Sequence, residues 1–305
     1  MRESTMQSQN RRLAIIIALI ATIMAFLRNW FREPVLAFDR MTAEDYKREA
    51  AGKWFLIVGG TKGIGAGLAR ALVVNGAKVV VAGRSKNEET PENAEFIQYD
   101  ASSLKNGIEF ANSLKGRKFD TVVFAVGIIT RSTLTRTAEG IEEDLAVSYL
   151  SRFVIANELI RNGNLEGRKR LYIFGYPGED TKPIDIDDLN FDKSPSQYSQ
   201  MPAHLNTVVL NEALSYELAR RHPDLRVYGL NPGLIKTAIR DNVHGGDSSF
   251  LGRSIETLIG LFNPNVEQYV ERSLLALVLA PNLQEKSGIS FSRKGEVLDR
   301  SKWTS

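Results

Sequence analysis

Two rhythms of apolar residues alternate along the chain. Short runs rich in β-branched residues, "WFLIVGG", "AKVVVAG", "AEFIQYD", "DTVVFAVG", "KRLYIFG" and "LRVYGLNPG", have strand length and are bounded by turn residues. Between them lie segments with helical spacing, such as Ile64, Leu68, Ala71 and Leu72, which closes at Asn75 and Gly76, a good helix stop. Strand then helix, repeated, predicts an α/β fold with a doubly wound parallel sheet covered on both faces. Residues 53–305 are read as one such domain. Two irregular stretches, residues 177–202 and 240–252, fall where loops at the carboxyl ends of strands build a ligand site.

The amino terminus breaks this rhythm. Residues 13–27 form an unbroken apolar run between Arg11, Arg12 and Arg28, Arg32, with Trp30 and Phe31 at one end. At helical rise the run reaches about 22 Å, short of a bilayer core unless the arginines snorkel. An uncleaved membrane anchor within residues 1–33 is the expectation, followed by a polar connector, residues 34–52; a cleaved signal peptide is the rival, although no small-x-small site follows the run. With no Asn-x-Ser/Thr sequon, the domain is expected to face the cytosol, at the endoplasmic reticulum or another intracellular membrane.

Composition narrows the chemistry. The chain has 305 residues and no cysteine, so a disulfide scaffold, a cysteine nucleophile and a thiolate metal site are all excluded. Net charge is +3 with Lys and Arg dispersed, which argues against a nucleic-acid partner. Asp185, Asp187 and Asp188 cluster, but without the convergent spacing of a hard-metal site. No metal is expected, and an oligomer is compatible with the pattern.

The first strand runs into "VGGTKGIG", and this turn carries the strongest chemical signal. Gly59, Thr61, Lys62, Gly63, Ile64 and Gly65 form a glycine-rich bend from a strand into a helix, where bare backbone N–H groups and the helix's positive end suit a pyrophosphate. The second strand ends at Gly83 and Arg84 with no carboxylate to accept a ribose 2′-hydroxyl. Arg84 and Lys62 together favour a 2′-phosphate, hence NADP(H) over NAD(H).

At these motifs the sequence resembles the short-chain dehydrogenase/reductase family, with its Rossmann fold, and within it the branch of retinol dehydrogenases and WW-domain oxidoreductases; the likeness spans residues 53 to about 294. The resemblance implies that Asp100 in "YDASS" contacts adenine, that Gly127 in "FAVG" lines the cofactor, and that Pro232, Gly233, Ile235 and Thr237 in "NPGLIKT" hold the nicotinamide amide. "DIDDLNFDKS" matches a phrase that this branch carries shortly before its catalytic tyrosine.

The four family positions that perform the chemistry are all changed. Aligned on "ELARR", the tyrosine position holds His204 and the lysine position Val208, while Ser148 stands for the Asn and Tyr176 for the Ser. His204 is one candidate proton donor, since an imidazole is a competent acid near neutral pH. The other reading is a helix-start histidine capping backbone groups, where the helix's positive end disfavours the protonated ring. Tyr198 is a second candidate, but no lysine follows four residues on to tune it. Tyr176 is assigned to the substrate oxygen and Ser148 to a water. Two functions lead, an oxidoreductase with a rebuilt site acting on a carbonyl or alcohol and an NADP(H)-binding sensor or scaffold without catalysis; Arg84 and Lys62 beside an intact glycine loop argue against a third, a purely structural protein with a vestigial nucleotide site. Leu251, Ile255, Ile259 and Leu261 give an apolar helical face that, beside an anchor, suggests a lipophilic small-molecule substrate.

Overall fold

The computed structural model describes residues 36, 38–178, 185–233, 235, 265–285, 287–302 and 304, all within one compact unit, Leu36–Ser305. Its centre is an eight-stranded sheet in the order β3-β2-β1-β4-β5-β6-β7-β8. The six strands expected from the apolar runs are β1 (Trp54–Val58), β2 (Lys78–Gly83), β3 (Glu95–Gln98), β4 (Phe119–Phe124), β5 (Leu165–Phe174) and β6 (Arg226–Leu230). Their pairings are all parallel, and β7 (Ile289–Phe291) extends the parallel set before β8 (Val297–Leu298) closes it antiparallel.

Alternation within the strands explains why they read as continuous apolar runs. Phe55, Ile57, Val81, Val123, Tyr172 and Tyr228 enter one buried cluster, and their neighbours Leu56, Val58, Val80, Val122, Leu171 and Val227 enter another. Each face is covered by helices, so both parities are mainly apolar, with buried Thr121 and Arg170 as exceptions. On the first face lie α1 (Ala43–Ala50) and α2 (Gly63–Val74), through Ala50, Leu68 and Leu72. The second face carries α3 (Leu104–Ser113), α4 (Ser151–Arg161) and α5 (Gln200–Arg221), through Phe110, Ile155, Leu159, Leu214 and Leu218. A last helical stretch, α6 (Val266–Tyr269) continuing through Val270–Leu274 into α7 (Leu275–Leu279), returns to the first face.

Within the stretch read as a connector, α1 is a capped helix. Thr42 accepts from the Asp45 N–H and Asp45 accepts from the Thr42 N–H, a reciprocal capping box. It is tied to β5 through the ion pair of Glu49 with Arg168.

The expected membrane placement is corrected. Among the described residues no helix is long and apolar enough to cross a membrane. The run 13–27 on which that expectation rested lies outside the described residues, as do residues 240–252 and the apolar face of Leu251, Ile255, Ile259 and Leu261.

Candidate active site

Because β1 to β6 run parallel, everything that follows a strand gathers at one edge of the sheet. Gly59 to Gly65 follow β1, Arg84 follows β2, Asp100 lies just past β3, Gly127 past β4, Tyr176 past β5, and Pro232 and Gly233 past β6. The order reverses between β1 and β4, which makes their shared end the switch point where such sheets bind ligands.

The glycine turn has no room for side chains. Gly59 has φ +87°, and a Cβ there would lie 2.3 Å from the Val126 nitrogen. A Cβ on Gly65 would lie 2.2 Å from the Gly59 carbonyl oxygen. The bend is pinned to β2 by the Gly59 N–H donating to Ala82 O at 2.8 Å. Thr61 packs its side chain over Gly83, where a Cβ would come within 2.8 Å of Thr61 Oγ1, and this contact brings the start of Arg84 beside the turn. Arg84 and Lys62 are both exposed, and no described carboxylate pairs with either. Ile64 is half-buried against the core and roots the first turn of α2.

A residue absent from the sequence reading also reaches this turn. Lys62 gives α2 no side-chain cap. Instead the Gly63 N–H donates to Glu89 Oε2 at 2.8 Å, and Thr90 Oγ1 donates to the Thr61 carbonyl at 3.3 Å. A carboxylate therefore sits where the helix favours an anion. Sequence reading inspected only the end of β2 for acids, whereas Glu89 comes from the turn beyond it.

The other expected cofactor residues are distributed as follows. The Asp100 carboxylate accepts from the N–H and hydroxyl of Ser102 at 3.0 and 2.9 Å. Gly127 lies close over α4, since a Cβ there would be 3.0 Å from Arg152 Nη2 and 3.5 Å from Ser148 Oγ. Gly233 has φ +64° and donates to Asn231 Oδ1 at 2.9 Å, while Asn231 donates to the Pro177 carbonyl, joining the β6 and β5 ends. Ile235 is buried; Thr237 lies outside the described residues.

The chemical side is built where a π-helical turn, Leu145–Leu150, precedes α4. A π turn swells a helix and reorients side chains, a feature common at functional sites. Ser148 Oγ accepts from the Ile128 N–H at 3.0 Å and donates to the Ile128 carbonyl at 3.3 Å, so its hydroxyl clasps the loop after β4. Its own carbonyl accepts from Asn211 of α5 at 2.8 Å. Buried Arg152 bridges the ends of β4 and β5 by donating to Val126 O and Phe174 O. Burial pushes its guanidinium down to about 10.

His204 lies in the second turn of α5, with its side chain 20% exposed. Its Nδ1 is 2.8 Å from Oδ2 of Asp144, a carboxylate with no exposed surface. The ring is thus paired with a side chain from another element. Val208, one turn further along α5, is buried. The Tyr198 hydroxyl meets Thr130 Oγ1 at 2.8 Å and donates to Glu142 Oε1 at 3.2 Å. Burial, with help from Glu142 and Asp144, pushes this phenol up to about 12, away from the range useful for proton transfer at neutral pH. Tyr176 is half-buried beyond β5 and electrostatically coupled to Arg293, whose side chain passes 3.2 Å from where a Gly233 Cβ would stand.

Glu142 and the "DLN" phrase form the support behind this cluster. Glu142 Oε2 accepts from the Leu145 N–H at 2.6 Å, and its own N–H donates to Asn190 Oδ1 at 2.7 Å. The Asp188 carboxylate accepts from the N–H groups of Lys193 and Ser194 and from the Ser194 hydroxyl, which holds it below the usual carboxylate range. Asp144 and Glu142 were not singled out from sequence. Three acids opening a helix look like ordinary helix-start charges; the available clue was that Asp144 precedes Ser148 by four residues and so shares its face.

A glycine cradle at the switch point of a parallel sheet is a dinucleotide-binding architecture. A sequence model of the family described as short chain dehydrogenase matches residues 53–168. An uncharacterized oxidoreductase of Saccharomyces cerevisiae is 31% identical over 277 residues, covering 88% of this chain and 87% of the yeast protein. An oxidoreductase of Penicillium decumbens is 29% identical over 262 residues, covering 78% and 74%. Among solved structures, a short chain dehydrogenase from Burkholderia cenocepacia in complex with NADP superposes with TM-score 0.60 at 18% identity, covering 81% of this chain and 98% of that one, a likeness of fold. The chain belongs to the short-chain dehydrogenase/reductase family, oxidoreductases that bind a nicotinamide cofactor.

Proposed function

We propose that the protein is an NADP(H)-dependent oxidoreductase that interconverts a carbonyl and an alcohol, with His204 in the proton-transfer role that the family gives to tyrosine. The observation that carries this reading is the glycine cradle after β1, in which Cβ atoms at Gly59 and Gly65 would collide with backbone, so that the chain stays close-wound where a dinucleotide's phosphates belong. Gly59, Thr61, Gly63, Ile64 and Gly65 would hold the pyrophosphate, Arg84 and Lys62 a 2′-phosphate, Asp100 the adenine, and Gly127, Pro232, Gly233, Ile235 and Thr237 the nicotinamide end. Bound there, the cofactor supplies or accepts hydride at the substrate carbon.

The chain's part is to position the substrate oxygen and to move one proton. With Nδ1 of His204 engaged by Asp144, Nε2 is the nitrogen left to exchange that proton. Tyr198 is a poor alternative because its hydroxyl is held by Thr130 and Glu142. Ser148 serves as a clasp for the loop after β4, and Tyr176 stands at the crevice edge as a hydrogen-bonding group for the substrate oxygen. Placement in the retinol dehydrogenase branch rests on the "DIDDLNFDKS" phrase, and a lipophilic substrate has no support among the described residues.

A second reading, a cofactor-binding sensor without turnover, draws on Val208, which puts a buried apolar side chain where the family has its cation. Titrating the full chain with NADPH and NADH, then following NADPH consumption on a panel of aldehydes and ketones, separates the two. The proposal expects NADPH to bind at least tenfold tighter than NADH and to be consumed. Binding without consumption across the panel favours the sensor, and binding of neither cofactor contradicts both.

A further inference from the structure

We propose that Asp144 is the positioning residue of an Asp–His dyad that organises proton transfer here in place of the family's tyrosine and lysine; the inference rests on the assignment of His204 above. A carboxylate with no exposed surface is costly unless it is paired and hydrogen-bonded. Among the described residues the only hydrogen-bond partner of the Asp144 side chain is His204 Nδ1, at 2.8 Å, and no described donor meets its Oδ1. Asp144 does not earn its place as a helix cap. It begins the π turn without a side-chain capping bond, and that task falls to Glu142, which accepts from the Leu145 N–H.

Glu142 and Arg152 act on Asp144 through space, but neither side chain is hydrogen-bonded to it. Glu142, two residues before Asp144, is turned to Leu145 and Tyr198. Arg152 attracts Asp144 through space, but its guanidinium donates to the Val126 and Phe174 carbonyls. Val208 supplies no charge. Among the described residues the imidazole is therefore the one group in hydrogen-bond contact with this buried carboxylate.

Chemically, the arrangement inverts the family's pairing. There a cation supports a phenol that becomes an anion; here an anion supports an imidazole that becomes a cation. The carboxylate accepts Nδ1–H, which fixes the tautomer with Nε2 available. In the reducing direction, a reduced nicotinamide, when bound, would supply the hydride for the new C–H bond. The carbonyl π electrons move to oxygen, and the Nε2–H of protonated His204 passes its proton to that oxygen. The products are an alcohol, oxidised nicotinamide and neutral His204 still hydrogen-bonded to Asp144; the reverse direction returns each species.

The test uses the full chain labelled with 15N in its imidazoles, which is tractable because the sequence holds three histidines. The expected spectrum shows a slowly exchanging, strongly downfield Nδ1–H signal that is missing in His204→Gln and in Asp144→Asn and present in Asp144→Glu. In parallel, Asp144→Asn is expected to lower kcat roughly 100-fold, within the range of general acid–base catalysis, with NADPH affinity within about twofold of wild type. Asp144→Glu should recover at least about tenfold over Asp144→Asn, as expected for a restored general-acid partner. A wild-type His204 in the Nε2–H tautomer, undiminished kcat in Asp144→Asn, or an Asp144→Glu no better than the amide would each overturn the dyad. If Asp144→Asn does not fold, the wild-type spectrum and Asp144→Glu still decide. A wild type that shows the Nδ1–H signal and binds NADPH but reduces nothing overturns the proposed function while the pairing stands. Turnover without the signal overturns the dyad alone.

Discussion

The two sides of the crevice are made of different material. On the cofactor side, backbone does the work: Gly59, Gly63 and Gly65 bend the chain at positive φ or against neighbouring backbone, so nothing larger than hydrogen fits at Gly59 or Gly65. On the other side, side chains make the contacts: α5 meets the π turn and the residue before it through Asn211 on the Ser148 carbonyl and His204 on Asp144. A backbone cradle is disturbed when a Cβ is added at Gly59 or Gly65. A side-chain cluster can be rebuilt by exchanging partners, provided that buried charges remain paired.

Perturbing the cradle should give the largest effect. Gly65→Ala places a Cβ 2.2 Å from the Gly59 oxygen, so the turn must open. NADPH affinity measured by fluorescence titration is expected to fall by about 100-fold or more while circular dichroism stays native, because the cradle depends on close backbone approach. Unchanged affinity would mean that the turn does not hold phosphate, and the contrast between the two sides would collapse.

Reversing charge at the β2 end should act on one cofactor only. Arg84→Glu is expected to weaken NADPH by at least about tenfold and NADH by less than about threefold, since only the former offers a 2′-phosphate for a charge-assisted bond. Equal weakening would remove the NADP(H) assignment and leave the cradle intact.

The smallest effect is expected at Glu89. Its carboxylate occupies the Gly63 N–H, so an incoming phosphate meets a like charge there. Glu89→Gln should tighten NADPH roughly two- to fivefold, the scale of a single charge near a helix end, and the gain should shrink in high salt. Weaker binding in Glu89→Gln would show that the carboxylate supports the loop and does not compete with the ligand.

How much of this was legible in the amino-acid order depends on how local each signal is. β1, β2, β4 and β6 were readable because burial on both faces forces Val, Ile, Leu and Phe into nearly unbroken runs. By contrast, β7 and β8 are three and two residues long and carry no period to detect. The glycine turn was readable because its spacing is set within seven residues of one strand–helix junction. Glu89 and Asp144 were missed because their partners lie 26 and 60 residues away, at Gly63 and His204. The capping box of Thr42 and Asp45 was available in the sequence but was hidden inside a stretch judged by its polarity alone.

The proposed role of His204 is tested most directly by NADPH consumption with a reactive carbonyl, comparing wild type and His204→Gln at equal NADPH saturation. The proposed site predicts a fall in kcat of roughly 100-fold or more, the contribution of a positioned general acid, with NADPH affinity unchanged. Equal turnover in the two proteins would contradict it and would return the proton to another group.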